Sequence, residues 1–288
     1  MEAGGPRTVA TQLRVVALLF HDVYERDPSE SGFAGAAADR YKLSTAAFDA
    51  QLAGLAGADL RSSLVAAPGW EAAPTALPCV ITVDDGGVSY YTLVADRLEA
   101  RGWRGYCFVT TAWMGQPGFL SGDQLRELHR RGHLIGSHTV SHPPNLRRRV
   151  WSRLVSEWAD SRKALEDVLG APVAVGSVPG GAYAPRVALA AAEAGLRLLF
   201  TSDPVVRART VGACTVVGRF AVRGGAPPDF ARNVAMLKRW TRLREWGLWN
   251  LKQLAKPMVA GFPRGRSTGL CTLECPPPGG PARSGRTP

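Results

Sequence analysis

Cys79-Val80-Ile81-Thr82-Val83-Asp84-Asp85-Gly86-Gly87 is the stretch on which the fold turns. Its first five residues are apolar or β-branched and predict a buried strand, which two adjacent carboxylates follow directly. Neighbouring carboxylates at the end of an apolar strand are costly unless something positive holds them. In a parallel α/β barrel the C-terminal ends of the strands are where reacting side chains gather, so the stretch reads as one stave of such a barrel. Taken alone, it reads equally well as an Asp-Gly turn carrying the cap of the next helix.

The pattern repeats outward in both directions. Strands are predicted at 13–20, 79–83, 106–110, 133–137, 173–178, 198–201 and 215–222, with helices at 44–55, 90–101, 121–131, 146–169 and 186–194 between them. This alternation predicts a mainly parallel sheet or barrel. The chain has 288 residues, long for one ordinary domain but normal for a single α/β barrel. Ser121 and Gln124 have capping-box spacing, and Gly102, Gly132, Gly170 and Gly195 each stand where a helix C-cap glycine would. Hydrophobic residues at 45% against 20% charged exclude wholesale disorder.

A second motif comes after the strand at 133–137. Ser137-His138-Thr139-Val140-Ser141-His142-Pro143 places two imidazoles four residues apart at a strand end, and a third, His21, ends another strand beside Asp22. Three of the five histidines thus sit at strand ends. A carboxylate with two histidines is a common three-ligand set for a catalytic divalent ion, leaving positions open for water and substrate.

With these residues in view, the chain resembles the polysaccharide deacetylases of the NodB-homology group, carbohydrate esterase family 4. Their Thr-Phe-Asp-Asp-Gly motif corresponds to Thr82-Val83-Asp84-Asp85-Gly86, and their His-Ser/Thr-x-x-His motif to His138-Thr139-Val140-Ser141-His142. The resemblance spans roughly 13–230 and implies an α/β fold, a distorted (β/α)-barrel of about seven strands. It implies Asp84 as general base, and one divalent metal ion on Asp85, His138 and His142, zinc first, with cobalt or another divalent ion as alternatives. The Gly180 N–H would meet the oxyanion. The family's arginine motif falls on Ser177-Val178-Pro179-Gly180-Gly181, where Ser177 replaces the arginine that braces the catalytic Asp; Arg186 or Arg219 is expected to substitute. Phe200-Thr201-Ser202-Asp203-Pro204 lies where the fourth motif does, without its tryptophan, so Asp203 is expected only to support the site. The closing Leu-x-His-Asp motif is found instead at Leu19-Phe20-His21-Asp22, as in permuted members acting on poly-N-acetylglucosamine. His21 would then be the general acid, oriented by Asp22. The segments 31–35 and 41–44 are expected to form a loop near the mouth, and Trp113 and Tyr183 are candidates for stacking on a sugar ring.

The implied reaction removes N-acetyl groups from amino sugars in a poly- or oligosaccharide, lipid-linked ones included. Two alternatives stay open: a catalytically impaired barrel that binds glycan, and a metal-dependent amidase on a non-sugar amide. Charge adds a third theme. Residues 231–288 hold eleven Lys/Arg against Glu245 and Glu274, which places +9 of the chain's +11 there. A near-neutral body argues against a nucleic-acid partner. Residues 1–230 are expected to form the deacetylase domain, 231–260 a basic amphipathic helix that packs on the barrel or meets an anionic membrane surface, and 261–288 a disordered Pro/Gly/Arg-rich tail. No signal peptide or spanning helix is legible, which points to the cytoplasm or the inner membrane face. Cys79, Cys107 and Cys214 lie in apolar runs and read as buried thiols.

Overall fold

A computed structural model describes residues 13–58 and 78–259. The expected tail at 261–288, with Cys271 and Cys275, lies outside the described residues, as do the first twelve.

Eleven strands are described: β1 (Val16–Phe20), β2 (Val23–Tyr24), β3 (Leu43–Ser44), β4 (Cys79–Val83), β5 (Tyr106–Val109), β6 (Leu134–Ser137), β7 (Val175–Ser177), β8 (Leu198–Phe200), β9 (Arg209–Val211), β10 (Cys214–Val217) and β11 (Phe220–Ala221). β2 and β3 form a small parallel pair. The other nine make one sheet in the order β11-β1-β4-β5-β6-β7-β8-β10-β9. Every pairing in it is parallel except that of β9 with β10.

One segment joins the two ends of this row. β10 pairs with β8, and β11, two residues further on, pairs with β1. The predicted strand at 215–222 is therefore two short strands, and at the break between them the chain crosses from one side of the curled sheet to the other. Gly218 stands at that break: a Cβ there would lie 2.2 Å from the Asp203 carbonyl oxygen and 2.6 Å from Val205 Cγ2. The expected barrel of about seven staves is present, with the antiparallel β9 added at one edge.

Strand alternation sorts the side chains into an inside and an outside. Val15, Ala17, Val80, Tyr106, Phe108, Val175, Leu198, Phe200 and Val217 share the interior cluster. Their neighbours Val16, Leu18, Phe20, Cys79, Ile81, Val83, Cys107, Val109 and Phe220 pack in the outer cluster beneath helices. Parity also sorts the residues at the strand ends. His21, Asp84, His138, Ser177 and Arg219 fall on the interior parity, whereas Asp22 falls on the outer one.

The helices match the predicted positions, with two corrections. The run at 146–169 is a 3-10 turn (Leu146–Arg148) and then a helix at Trp151–Leu169. The pattern after Asp229 is not continuous either. It makes one helix at Phe230–Ala235 and a second at Arg239–Val259, separated by a turn in which Leu237 takes φ 57°. The Ser121–Gln124 capping box is formed, and Gly102, Gly132, Gly170 and Gly195 all have positive φ. The compact body runs to Trp249, and residues from Asn250 belong to a second unit. Cys79, Cys107 and Cys214 are buried and free.

Candidate active site

The parallel register brings the first two motifs to one place. Phe20 is level with Val83, so His21 and Asp84 leave neighbouring staves at the same height; the Asp84 N–H donates to the Phe20 carbonyl. Val109 is level with Ser137, so the second motif emerges two staves beyond Asp84, and the His138 N–H donates to the Val109 carbonyl.

Four described non-glycine residues have positive φ: Asp85 (81°), Thr139 (68°), His142 (52°) and Leu237. Three of the four lie in the two motifs. Such conformations cost a non-glycine residue free energy and persist where the surrounding structure enforces them. Here they turn Asp85 and His142 toward His138. His138 Nε2 lies 3.4 Å from Asp85 Oδ1, and His142 Nε2 lies 3.6 Å from the same oxygen. All three ligand atoms stand within 4.8 Å of one another.

The donor set fits a metal ion. Ligand atoms each ~2.1 Å from a tetrahedral ion stand about 3.4 Å apart, close to the separations found. His138 Nδ1 donates to the Ser177 carbonyl at 2.8 Å, which leaves the Nε2 lone pair facing the cluster. Burial opposes charge on Asp85, but its hydrogen bond with His138 and the charges of His21, His138 and His142 hold it far below the usual carboxylate range. His142 is pulled down to about 4 by burial and by the charge on His138, so it is a neutral donor at ordinary pH.

Asp84 is gripped from inside the barrel. Arg219 Nη1 donates to Asp84 Oδ1 at 2.7 Å and Nη2 to Oδ2 at 2.8 Å. The guanidinium also donates to Thr82 Oγ1, to the Thr201 carbonyl and to Ser177 Oγ, which uses all five of its N–H groups. Phe108 and Phe200 flank it, with ring centroids 5.8 and 5.9 Å from Cζ. Ser177 passes the bond on, its hydroxyl donating to Asp84 Oδ2 at 3.0 Å. Burial pushes the Asp84 carboxyl up, but Arg219 and His138 outweigh it and hold it below its ordinary value.

Of the two expected substitutes for the missing motif arginine, Arg219 is therefore the one. Arg186 donates to the carbonyls of Arg147 and Arg149 instead. In sequence, Arg219 shows only as a charge inside an apolar run, Val216-Val217-Gly218-Arg219-Phe220-Ala221-Val222.

His21 sits beside this cluster, and its charge acts on Asp84, Asp85 and His142. Its ring packs 4.9 Å from Tyr41, and its buried Nδ1 has no hydrogen-bond partner among the described residues. Asp22 does not orient it, which corrects the expectation. The outer parity of Asp22 carries its carboxylate to Ser31 Oγ (2.6 Å) and Ser89 Oγ (2.8 Å), and burial raises its pKa.

Gly180 takes φ 56°, is exposed, and has open space where a Cβ would be, so a substrate can approach its backbone. Trp113 is 37% exposed and packs with Phe33 and Phe119; Phe33 in turn lies 5.2 Å from the His142 ring, which brings the 31–35 loop to the mouth as expected. Tyr183 lies under Arg209, which pairs with Asp203. Asp203, in the segment without the family's tryptophan, meets one that no motif revealed: Trp249 Nε1 donates to Asp203 Oδ1 at 3.0 Å, and its ring fills the space beside Gly181.

Comparison with known proteins agrees with this geometry. Residues 73–199 match the family model described as polysaccharide deacetylase. YxkH of Bacillus subtilis (strain 168), which carries a polysaccharide deacetylase name, is 29% identical over 135 residues, 46% of this chain and 48% of YxkH. The chain thus spans about half the length of that curated relative. Among solved structures, the Streptococcus pyogenes deacetylase PplD in complex with acetate aligns with TM-score 0.63 at 21% identity, over 76% of this chain and 96% of PplD. IcaB from Ammonifex degensii aligns with TM-score 0.59 at 22% identity, over 80% and 97%. Residues 73–199 thus match the polysaccharide deacetylase family, the one whose motifs the chain resembles.

Proposed function

We propose that the chain hydrolyses the N-acetyl group of an amino sugar held in a poly- or oligosaccharide, lipid-linked ones included, releasing acetate and a free amine. One observation carries this reading: an ionised, doubly held Asp84 has its Oδ2 3.8 Å from His138 Nε2, beside three convergent metal-ligating atoms. Asp85, His138 and His142 would hold the divalent ion, zinc first, which when bound supplies electrophilic polarisation of the amide carbonyl and acidifies water.

The remaining work falls to the chain's own groups. Asp84 accepts the proton that water loses as its oxygen bonds to the acyl carbon; Arg219 and Ser177 together use both lone pairs of Oδ2, and Oδ1, which accepts from Arg219 alone, keeps one free for that proton. Arg219 fixes the direction of that carboxylate and keeps it ionised between turnovers. The Gly180 N–H meets the developing oxyanion. His21 donates a proton to the leaving nitrogen as the C–N bond breaks. The reaction belongs to the barrel that residues 1–230 contribute, with Trp249 supporting its rim from the basic helix.

Arg219 also bears on the alternatives: because it grips Asp84, the loss of the motif arginine does not by itself favour an impaired, glycan-binding barrel. The test is acetate release from N-acetylglucosamine oligomers, with divalent metal and with chelator. We expect metal-dependent release that Asp84→Asn, His138→Ala and His21→Ala each reduce by about a hundredfold or more while circular dichroism is unchanged. Glycan binding without release would favour the impaired barrel, and release from non-sugar amides alone would favour the amidase.

A further inference from the structure

Away from the metal-ligating residues, a groove of about 600 Å³ opens between the lead-in to β1, the loop after β8 and the helix that begins at Arg239. Its lining combines four arginines (Arg14, Arg207, Arg239 and Arg242) with an apolar wall to which Val205 and Trp246 contribute. No carboxylate lines it. None of the four arginines forms an ion pair among the described residues, and the buried Arg242 Nε has no hydrogen-bond partner there. Arg14, Arg207 and Arg239 are exposed to water, and four like charges gathered at one groove raise a positive potential there that an anion would lower.

The rim carries a second, independent feature. Trp240 is 81% exposed, Trp246 53% and Leu243 44%, at three-residue steps along one helix. Arg239 lies over the Trp240 ring, 5.9 Å from its centroid. Large aromatics left in water beside guanidiniums suit the boundary between phosphate headgroups and acyl chains, where each finds its own solvent.

We propose that this groove is a headgroup site for an anionic phospholipid at a bilayer surface, with Arg14, Arg207, Arg239 and Arg242 around the phosphate and Trp240, Leu243 and Trp246 among the first acyl carbons. Charge complementarity selects this occupant. A second copy docked through the same face would bring the same four arginines against each other, and a soluble phosphate would leave the exposed tryptophans uncovered. The groove draws on two of the eleven basic residues of 231–288, Arg239 and Arg242, and the proposal does not depend on the hydrolytic reading. The helix that would meet the lipid also carries Trp249, whose ring packs beside Gly181, so binding here holds the candidate active site close to the surface.

The test uses the full chain and vesicles of phosphatidylcholine, with or without phosphatidylglycerol, in a flotation assay that also tracks tryptophan emission. We expect binding only to the phosphatidylglycerol vesicles, with a blue shift. The double variant Arg207→Glu/Arg242→Glu should weaken it by roughly tenfold or more, and Trp240→Ala should remove part of the shift. Both variants leave 252–288 intact, so the basic residues there are the internal control. Thermal melting checks the fold; should the double variant unfold, Arg239→Glu, on an exposed side chain, replaces it. Equal binding of wild type and charge-reversed protein would overturn the proposal. So would equal binding to neutral vesicles, a groove-dependent dimer without vesicle binding, or stabilisation by inorganic phosphate alone.

Discussion

Arg219 and Asp84, 135 residues apart in the chain, meet fork to fork at 2.7 and 2.8 Å inside the barrel, both almost wholly buried. The pair restores from a different stave what Ser177 removes from the arginine motif. It also holds a buried carboxylate ionised and fixed in direction.

Removing one partner leaves the other charged and alone in the interior. Arg219→Met should therefore lower stability by roughly 3–5 kcal/mol, and Arg219→Lys should recover only part, because an ammonium cannot supply the fork. Urea denaturation of both variants checks this, alongside acetate release.

Restoring the motif residue by itself should fail. Ser177 is fully buried and bonded to both Arg219 and Asp84, so Ser177→Arg drives a second guanidinium into filled space. We expect a loss of about 1–3 kcal/mol or more from overpacking. The compensating pair Ser177→Arg/Arg219→Ser should be more stable than Ser177→Arg, which melting temperatures will show.

Gly218→Ala tests the break between β10 and β11. The added methyl would meet the Asp203 carbonyl, backbone rather than a flexible side chain, so we expect roughly 1–3 kcal/mol of destabilisation. Activity should fall further than stability alone accounts for, because Arg219 is the next residue. Activity measured well below the melting temperature separates the two effects.

Asp22→Asn carries the opposite sign. Burial raises the Asp22 pKa, so its charged form is disfavoured in the folded protein. Stability from this group is present at low pH and is lost as pH rises through the raised folded value. An uncharged side chain of the same shape should keep or raise the melting temperature at neutral pH, with Oδ1 still accepting from Ser31 and Ser89. Hydrolysis should survive this change far better than His21→Ala.

Metal affinity should depend on pH through one histidine first. Burial opposes charge on His138, but Asp84 and Asp85 raise its pKa above 6.5, whereas His142 is lowered to about 4. Without metal, the protonated His138 stabilises the fold below its unfolded value, and this is lost as pH rises through the folded one. The ion needs the neutral ring, so affinity should fall about tenfold per pH unit below the His138 value and more steeply once His142 protonates. Competitive metal titration across pH measures the slope.

Local chemistry was legible in the sequence because it is written in contiguous residues. The strand Cys79–Val83, the carboxylates after it, the His138–His142 spacing and the Ser121–Gln124 cap each lie within one short stretch, and alternation fixes which side chains face inward. The same parity explains what sequence order concealed: His21 and Asp22 are adjacent, yet one faces the mouth and the other turns outward to Ser31 and Ser89. Arg219, Trp249 and the four-arginine groove depend on staves and helices far apart in the chain, which meet only once the sheet has curled. The barrel class and the candidate metal-ligating set were thus readable from contiguous residues alone. Which cation braces Asp84, and where the basic helix leaves arginines unpaired, was decided by tertiary structure, because buried charge is satisfied by whatever folding places within hydrogen-bonding distance, wherever it lies in the chain.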